Sequence, residues 1–188
     1  MKKIAFFISV LLMTSPAQSR EFGTFNGFTV AASEADEETA EGGFCGIIKD
    51  DYEGPGSSRL LLFRYLENPD VVAVVVDNFN WSIAKGDQHE VRYLLGDFFY
   101  DRTAVGTVDS YRKGLLAIFP ADDFLPTFAR SGSIMITKGD TTVDHLSLTG
   151  SSNAVDAFGR CWQYVRADQA VKQAKRDRFK TIPKDPFK

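Results

Sequence analysis

The residues able to do chemistry are few. Two histidines, His89 and His145, and two cysteines, Cys45 and Cys161, are all the chain contains of either type. Imidazole titrates near neutral pH and serves as a general base or a metal ligand, so the setting of each histidine matters. His89 stands beside Glu90 but lacks the second histidine, four residues on, that a zinc-protease helix requires. His145 alternates with Val143 and Ser147 opposite Leu146 and Leu148, the solvent side of a strand. Asp140, Asp144 and His145 follow the strand period too closely to converge on an ion, and no metal site is expected. Neither 54–58 (GPGSS) nor Gly150-Ser151-Ser152 forms the G-x-S-x-G elbow of a serine hydrolase. The carboxylate pairs Asp50-Asp51 and Asp122-Asp123 read as a turn and a helix cap. Gly54-Pro55-Gly56 lacks the third glycine of a dinucleotide fingerprint, and no cofactor is expected. A triad assembled from distant positions stays open.

The compartment is set by the first nineteen residues. Lys2 and Lys3 precede a ten-residue apolar run at 4–13 (IAFFISVLLM), and Ala17 and Ser19 stand at −3 and −1 of a cut before Arg20. These are the three parts of a secretory signal. A bilayer span needs about twenty apolar residues, twice what the run offers, and no second long apolar run follows. The expected organisation is a signal peptide at 1–19, a β-rich domain at 20–166 and a basic tail at 167–188. The mature chain is expected to be periplasmic or secreted, without a transmembrane segment, and balances 20 basic against 25 acidic residues. Such a charge makes nucleic acid a poor partner.

An even cysteine count in an exported chain reads as a disulfide, here Cys45–Cys161. Two buried thiols or a metal pair would be the alternatives, and the wide spacing without a CxxC argues against the metal. A bridge across so long a loop can stabilise by about 4–5 kcal/mol.

The elements that must position these groups are mostly strands. Apolar alternation marks 79–84 and 91–95, and short apolar runs occupy 60–65, 71–76, 115–119, 133–138 and 142–148. Residues 21–32 read as one first strand. Turn signals separate the runs, among them Asn68-Pro69-Asp70 and Lys138-Gly139-Asp140. The pattern predicts a mainly β chain, an antiparallel β-sandwich or barrel-like sheet. A short helix near 122–130 carries Phe124, Leu125 and Phe128 on one face, with Pro126 tolerable if Asp122 is the cap. A C-terminal helix from Ser151 carries Ala154, Phe158, Cys161 and Val165 as one stripe. Gly159 within it suggests close packing against a strand. The acidic run 34–41 reads as a solvated loop.

Past Val165 the stripe ends, and 163–188 holds eight basic residues against three acidic ones. Lys172, Lys175, Arg176, Arg178 and Lys180 are the candidate contacts to a protein or an anionic envelope component. A solvated helix that merely aids solubility is the plainer reading of the same charges.

In order, the chain presents the signal, Asn26-Gly27-Phe28-Thr29-Val30, and Gly43-Phe44-Cys45. There follow the helix with Phe124, Leu125 and Phe128, the strand Ile134-Met135-Ile136, and Leu146-Ser147-Leu148-Thr149-Gly150 leading to Ala154, Phe158 and Cys161. Over about residues 25–162 this order resembles the bacterial invasion-associated locus B family of small exported proteins. The resemblance implies a periplasmic or surface-exposed β-sandwich linked to host-cell interaction, with no catalytic residues to carry over. The residues therefore favour an exported, non-enzymatic envelope protein that binds a partner. A small periplasmic hydrolase using His89 or His145 and a carboxylate stays as one alternative. A carrier of a small apolar ligand, lined by the many Phe residues, is the other.

Overall fold

The computed structural model describes residues 19–33, 43–50, 58–109 and 111–180. Residues 1–18 of the proposed signal, the acidic run and the Gly54-Pro55-Gly56 turn lie outside them. Ten strands form one antiparallel sheet in the order β1-β2-β3-β4-β5-β8-β7-β6-β9-β10. They are β1 (Ser19–Phe25), β2 (Phe28–Ser33), β3 (Phe44–Asp50), β4 (Arg59–Tyr65), β5 (Val71–Asn78), β6 (Gln88–Leu95), β7 (Phe98–Asp109), β8 (Arg112–Pro120), β9 (Ser133–Lys138) and β10 (Thr141–Ser147). Two helices complete the chain, α1 (Ala121–Arg130) and α2 (Ser151–Lys180).

The sheet curls strongly. Lys49 on β3 donates from Nζ to the carbonyl of Ser147 on β10 at 2.7 Å, although β3 and β10 stand third and tenth in the order. The Ser58 hydroxyl, next to β4, bonds the Asp144 carboxylate of β10 in the same way. The concave face holds one continuous core. It includes Cys45 and Ile47, Leu60 and Leu62, Val72, Val74 and Val76, Tyr93, Phe119 and Ile136, packed against Phe124, Phe128 and Phe158 of the helices. These are alternate residues of each strand, as the two-residue period demands. Phe119, Phe124, Phe128 and Phe28 run ring to ring at 4.3–6.1 Å, so the phenylalanines pack against one another there.

Helix α2 packs on β1, β2 and β3 and beside α1. Its buried stripe is Ala154, Ala157, Phe158, Cys161, Trp162 and Val165. Cys161 is disulfide-bonded to Cys45, Cα to Cα 6.0 Å, fastening the helix to β3. Ser151 Oγ donates to the Phe128 carbonyl at 3.1 Å, tying the start of α2 to the end of α1.

Four local expectations need correction. Residues 21–32 form two strands, because Asn26 and Gly27 take positive φ (46° and 84°) and turn the chain into a hairpin. Residues 79–84 are irregular: they cross β7 at Gly106, where a Cβ would lie 2.2 Å from the Ala84 carbonyl oxygen. Helix α1 starts straight from Pro120 with no side-chain cap, so Pro126 sits in the helix interior and Asp122 is not its cap. Gly159 is exposed with nothing within 4 Å of a Cβ, so no strand approaches it.

Candidate interaction surface

The histidines do not converge with carboxylates. His145 is exposed, and its backbone N–H donates to Asp144 Oδ1 at 2.8 Å. His89 Nδ1 lies 3.2 Å from Lys138 Nζ, while its Nε2 is buried without a hydrogen-bond partner. Among the described residues neither imidazole forms an ion pair, and no cluster of three or more His, Cys, Asp or Glu could hold a metal ion. Asp144 is spent on Ser58, whose hydroxyl also accepts from Asn78 Nδ2 at 2.9 Å. This polar cluster joins β10 to β4 and β5.

The convex face of the sheet is different in kind. Strands β4, β5 and β8 read LLLF, VVAVVV and LLAIF in their apolar stretches, continuous runs rather than alternation. An antiparallel sheet with one wet face alternates; continuous runs belong to strands covered on both faces. The register puts Ile48 against Leu61, Leu61 against Val75, and Val75 against Leu116. One row on, Phe63, Ala73 and Ile118 line up in the same way. At one end Phe44, Phe63 and Tyr65 cluster at 5.3–6.3 Å between ring centroids. Tyr65 is 38% exposed, Ile118 41% and Val105, next in line on β7, 37%. Among the described residues no helix or strand packs across this face, since both helices lie on the concave side.

Polar groups frame the band. At one end Asp77, 4% exposed, accepts from Arg59 Nη2 at 2.6 Å and from Arg112 Nη1 at 2.7 Å. Gly114 makes room for this carboxylate, because a Cβ there would lie 2.9 Å from that of Asp77. Toward β6 the ion pair Arg92–Asp101 closes at 2.7 Å, and this guanidinium holds the Asp101 carboxyl below the usual carboxylate range. Asp50, Asp109, Glu67 and Glu90 complete a rim in which carboxylates outnumber guanidinium groups. Burial, with Glu67 nearby, raises the Tyr65 phenol above its ordinary value.

The two outer edges of the sheet suit strand addition poorly. Both β1 (between Glu21 and Gly23) and β10 (between Thr142 and Asp144) carry register breaks, the bulges that blunt an edge. The basic residues sit elsewhere. Helix α2 continues past its buried stripe to Lys180, held by local pairs: Lys172 Nζ to Asp168 at 2.8 Å and Gln173 to Asp177 at 3.0 Å. Lys172 is therefore half-buried and paired, whereas Lys175, Arg176 and Arg178 are exposed. The side chain of Lys180 lies outside the described residues. The five basic candidates share one helical segment.

Sequence reasoning found the disulfide and the helix charges. It missed the convex face, although the runs LLLF and VVAVVV signalled it.

A curled antiparallel sheet, fastened by a disulfide to a long helix and bearing an apolar convex face, defines the structural class. The solved structure of invasion associated protein B from Bartonella henselae is similar to it. The TM-score is 0.55 and the sequence identity 10%, with 76% of this chain and 97% of that chain covered. At that identity the likeness is one of fold. No family model and no curated protein sequence matches the chain. Among the described residues no helix is long and apolar enough to cross a membrane.

Proposed function

We propose that this chain is an exported, non-enzymatic envelope protein that acts by binding, with the convex sheet face as its principal docking surface and the basic end of α2 as a second. The observation that carries the reading is the apolar band from β3 to β8, rimmed by charges: an interface core with a polar surround. A disulfide suits an oxidising compartment, and β1 begins at Ser19, where cleavage before Arg20 would remove only its first residue. The likeness in fold to an invasion-associated protein agrees with a role at the cell surface toward a host.

Two measurements test the reading. Terminal sequencing of protein recovered from the periplasm or medium is expected to begin at Arg20; an unprocessed chain retained inside the cell contradicts export. The labelled, oxidised mature protein is then titrated onto isolated envelopes and onto animal cells, beside Ile118→Asp and a form ending at Arg166. Saturable binding weakened at least tenfold by Ile118→Asp supports the convex face, and weakening by truncation supports the tail. Equal binding by all three forms overturns both surfaces.

A further inference from the structure

The strongest unexplained pair of features is a sheet face that buries Leu61 and Ala73 in its middle but leaves Tyr65, Val105 and Ile118 exposed at its margins, and a helix that leaves its own domain. We infer that the partner on the convex face is a second copy of this chain, whose basic helix end lies across the sheet. The inference rests on the reading of that face as a docking surface and names its occupant.

Charge, length and shape carry it. The convex rim is acidic at Asp50, Glu67 and Glu90, while the exposed end of α2 offers Lys175 on the flank of its outward stripe. Residues 166–180 of a helix extend about 22 Å at 1.5 Å per residue. Five strands, β3 to β7 in sheet order, span about 19 Å between the outer two, so the helix end matches the width of the band. Its unpartnered side is a stripe at helical spacing, Ala167, Ala170, Val171 and Ala174, all exposed, with Val171 at 64%. Small side chains let a helix backbone approach a sheet that already carries Phe63, Leu116 and Ile118. The helix cannot serve its own domain in this way. It runs unbroken from Ser151 to Lys180 after packing on the concave side, and an unbroken helix does not turn back around a sheet edge. Reciprocal exchange of the two helices closes the contact as a two-fold dimer.

Light scattering on the oxidised mature protein, over a concentration series at low and high salt, tests this directly. The expected result is a mass that doubles with concentration, with the monomer favoured by salt because the complementary charges are exposed. Val171→Asp, Ile118→Asp and Lys175→Glu alter exposed positions, so their circular dichroism should match the wild type. Each is expected to weaken dimerisation at least tenfold. Zero-length carbodiimide coupling of mixed isotopically labelled chains should join Lys175 of one copy to Asp50, Glu67 or Glu90 of the other. A monomer at every concentration and low salt overturns the inference, as does a dimer unmoved by both Val171→Asp and Ile118→Asp. If the chain is monomeric while Ile118→Asp still weakens binding to envelopes or cells, a foreign partner occupies the face. Self-association then fails and the docking function stands.

Discussion

Asp77 and Arg112, 35 positions apart in the chain and both almost fully buried, are joined at 2.7 Å on the convex side of the sheet. Arg59 closes on the other oxygen of the same carboxylate, and the Arg112 guanidinium lies 4.0 Å from the centre of the Phe79 ring. One carboxylate thus fixes the ends of β4, β5 and β8 where the apolar band stops.

Replacing Asp77 with alanine removes the carboxylate that the buried Arg112 shares with Arg59, while Arg59 keeps Asp109 at 3.7 Å. Breaking a buried pair in this way costs about 3–5 kcal/mol, and Asp77→Ala is expected to lose that much in urea denaturation. Asp77→Asn, which keeps an acceptor but not the charge, should lose less. A loss for Asp77→Ala below about 1 kcal/mol, the range of an exposed pair, would show that the cluster does not hold the strands.

The Cys45–Cys161 bridge spans a sequence separation of 116. The chain-entropy relation gives about 4–5 kcal/mol for a loop of that size, and both sulfurs are fully buried between β3 and α2. The double variant Cys45→Ala/Cys161→Ala is therefore expected to unfold at much lower urea concentration, with the first loss of protection from hydrogen exchange at α2. Retention of the wild-type midpoint would mean that α2 is held by Trp162, Phe158 and Val165 alone.

How far the sequence predicts this structure can be judged element by element. The stripe Ala154, Phe158, Cys161 and Val165 is buried as its spacing requires. The mainly antiparallel sheet with a short and a long helix follows from the strand runs and their turns. The Asn26-Gly27 hairpin was legible too, being the favoured pair for a turn with two positive φ values; a cluster of phenylalanines on either side hid it. Strand β7, the longest at 12 residues, was not legible. Its concave positions include Arg102 and Gly106, and its convex ones mix Asp101 and Thr103 with Val105, so neither face reads as apolar. The reverse error at 79–84 has the same root. Phe79, Trp81 and Ile83 alternate, but the segment crosses over β7 instead of pairing with it. The convex face depends on which strands become neighbours, which local periodicity does not encode.

Tyr93 is fully buried against Phe119, and its hydroxyl has no hydrogen-bond partner. Burial raises its phenol well above the ordinary value. The unfolded chain releases this proton near pH 10, about the free tyrosine value, while the folded chain still holds it. The stability associated with the neutral phenol is whole below about pH 10 and declines as pH rises toward the higher folded value. Tyr93→Phe should fold with little or no loss at neutral pH, because no hydrogen bond is removed. It should also show a shallower fall of the urea midpoint between about pH 9 and pH 11, around the free phenol value. An alkaline slope identical to that of the wild type would assign the effect to Tyr65 and other groups.

Two glycines give opposite expectations for the same substitution. At Gly159, exposed on a helix with open space around it, alanine removes the backbone-entropy penalty and should stabilise by about 1 kcal/mol. At Gly106 a methyl would fall 2.2 Å from the Ala84 oxygen and 2.7 Å from Ile83 Cγ2. The crossing segment is fixed there by Gly86 N–H to the Gly106 carbonyl at 2.9 Å and by Gly106 N–H to the Asp87 carbonyl at 2.7 Å. Gly106→Ala must push that segment off β7, at a cost of about 1–3 kcal/mol for overpacking, and should speed hydrogen exchange at both amides. Thermal or urea midpoints shifting the same way in both variants would contradict either the open helix face or the close crossing. Exchange rates at Gly86 and Gly106 would then decide between them, because only the crossing protects those amides.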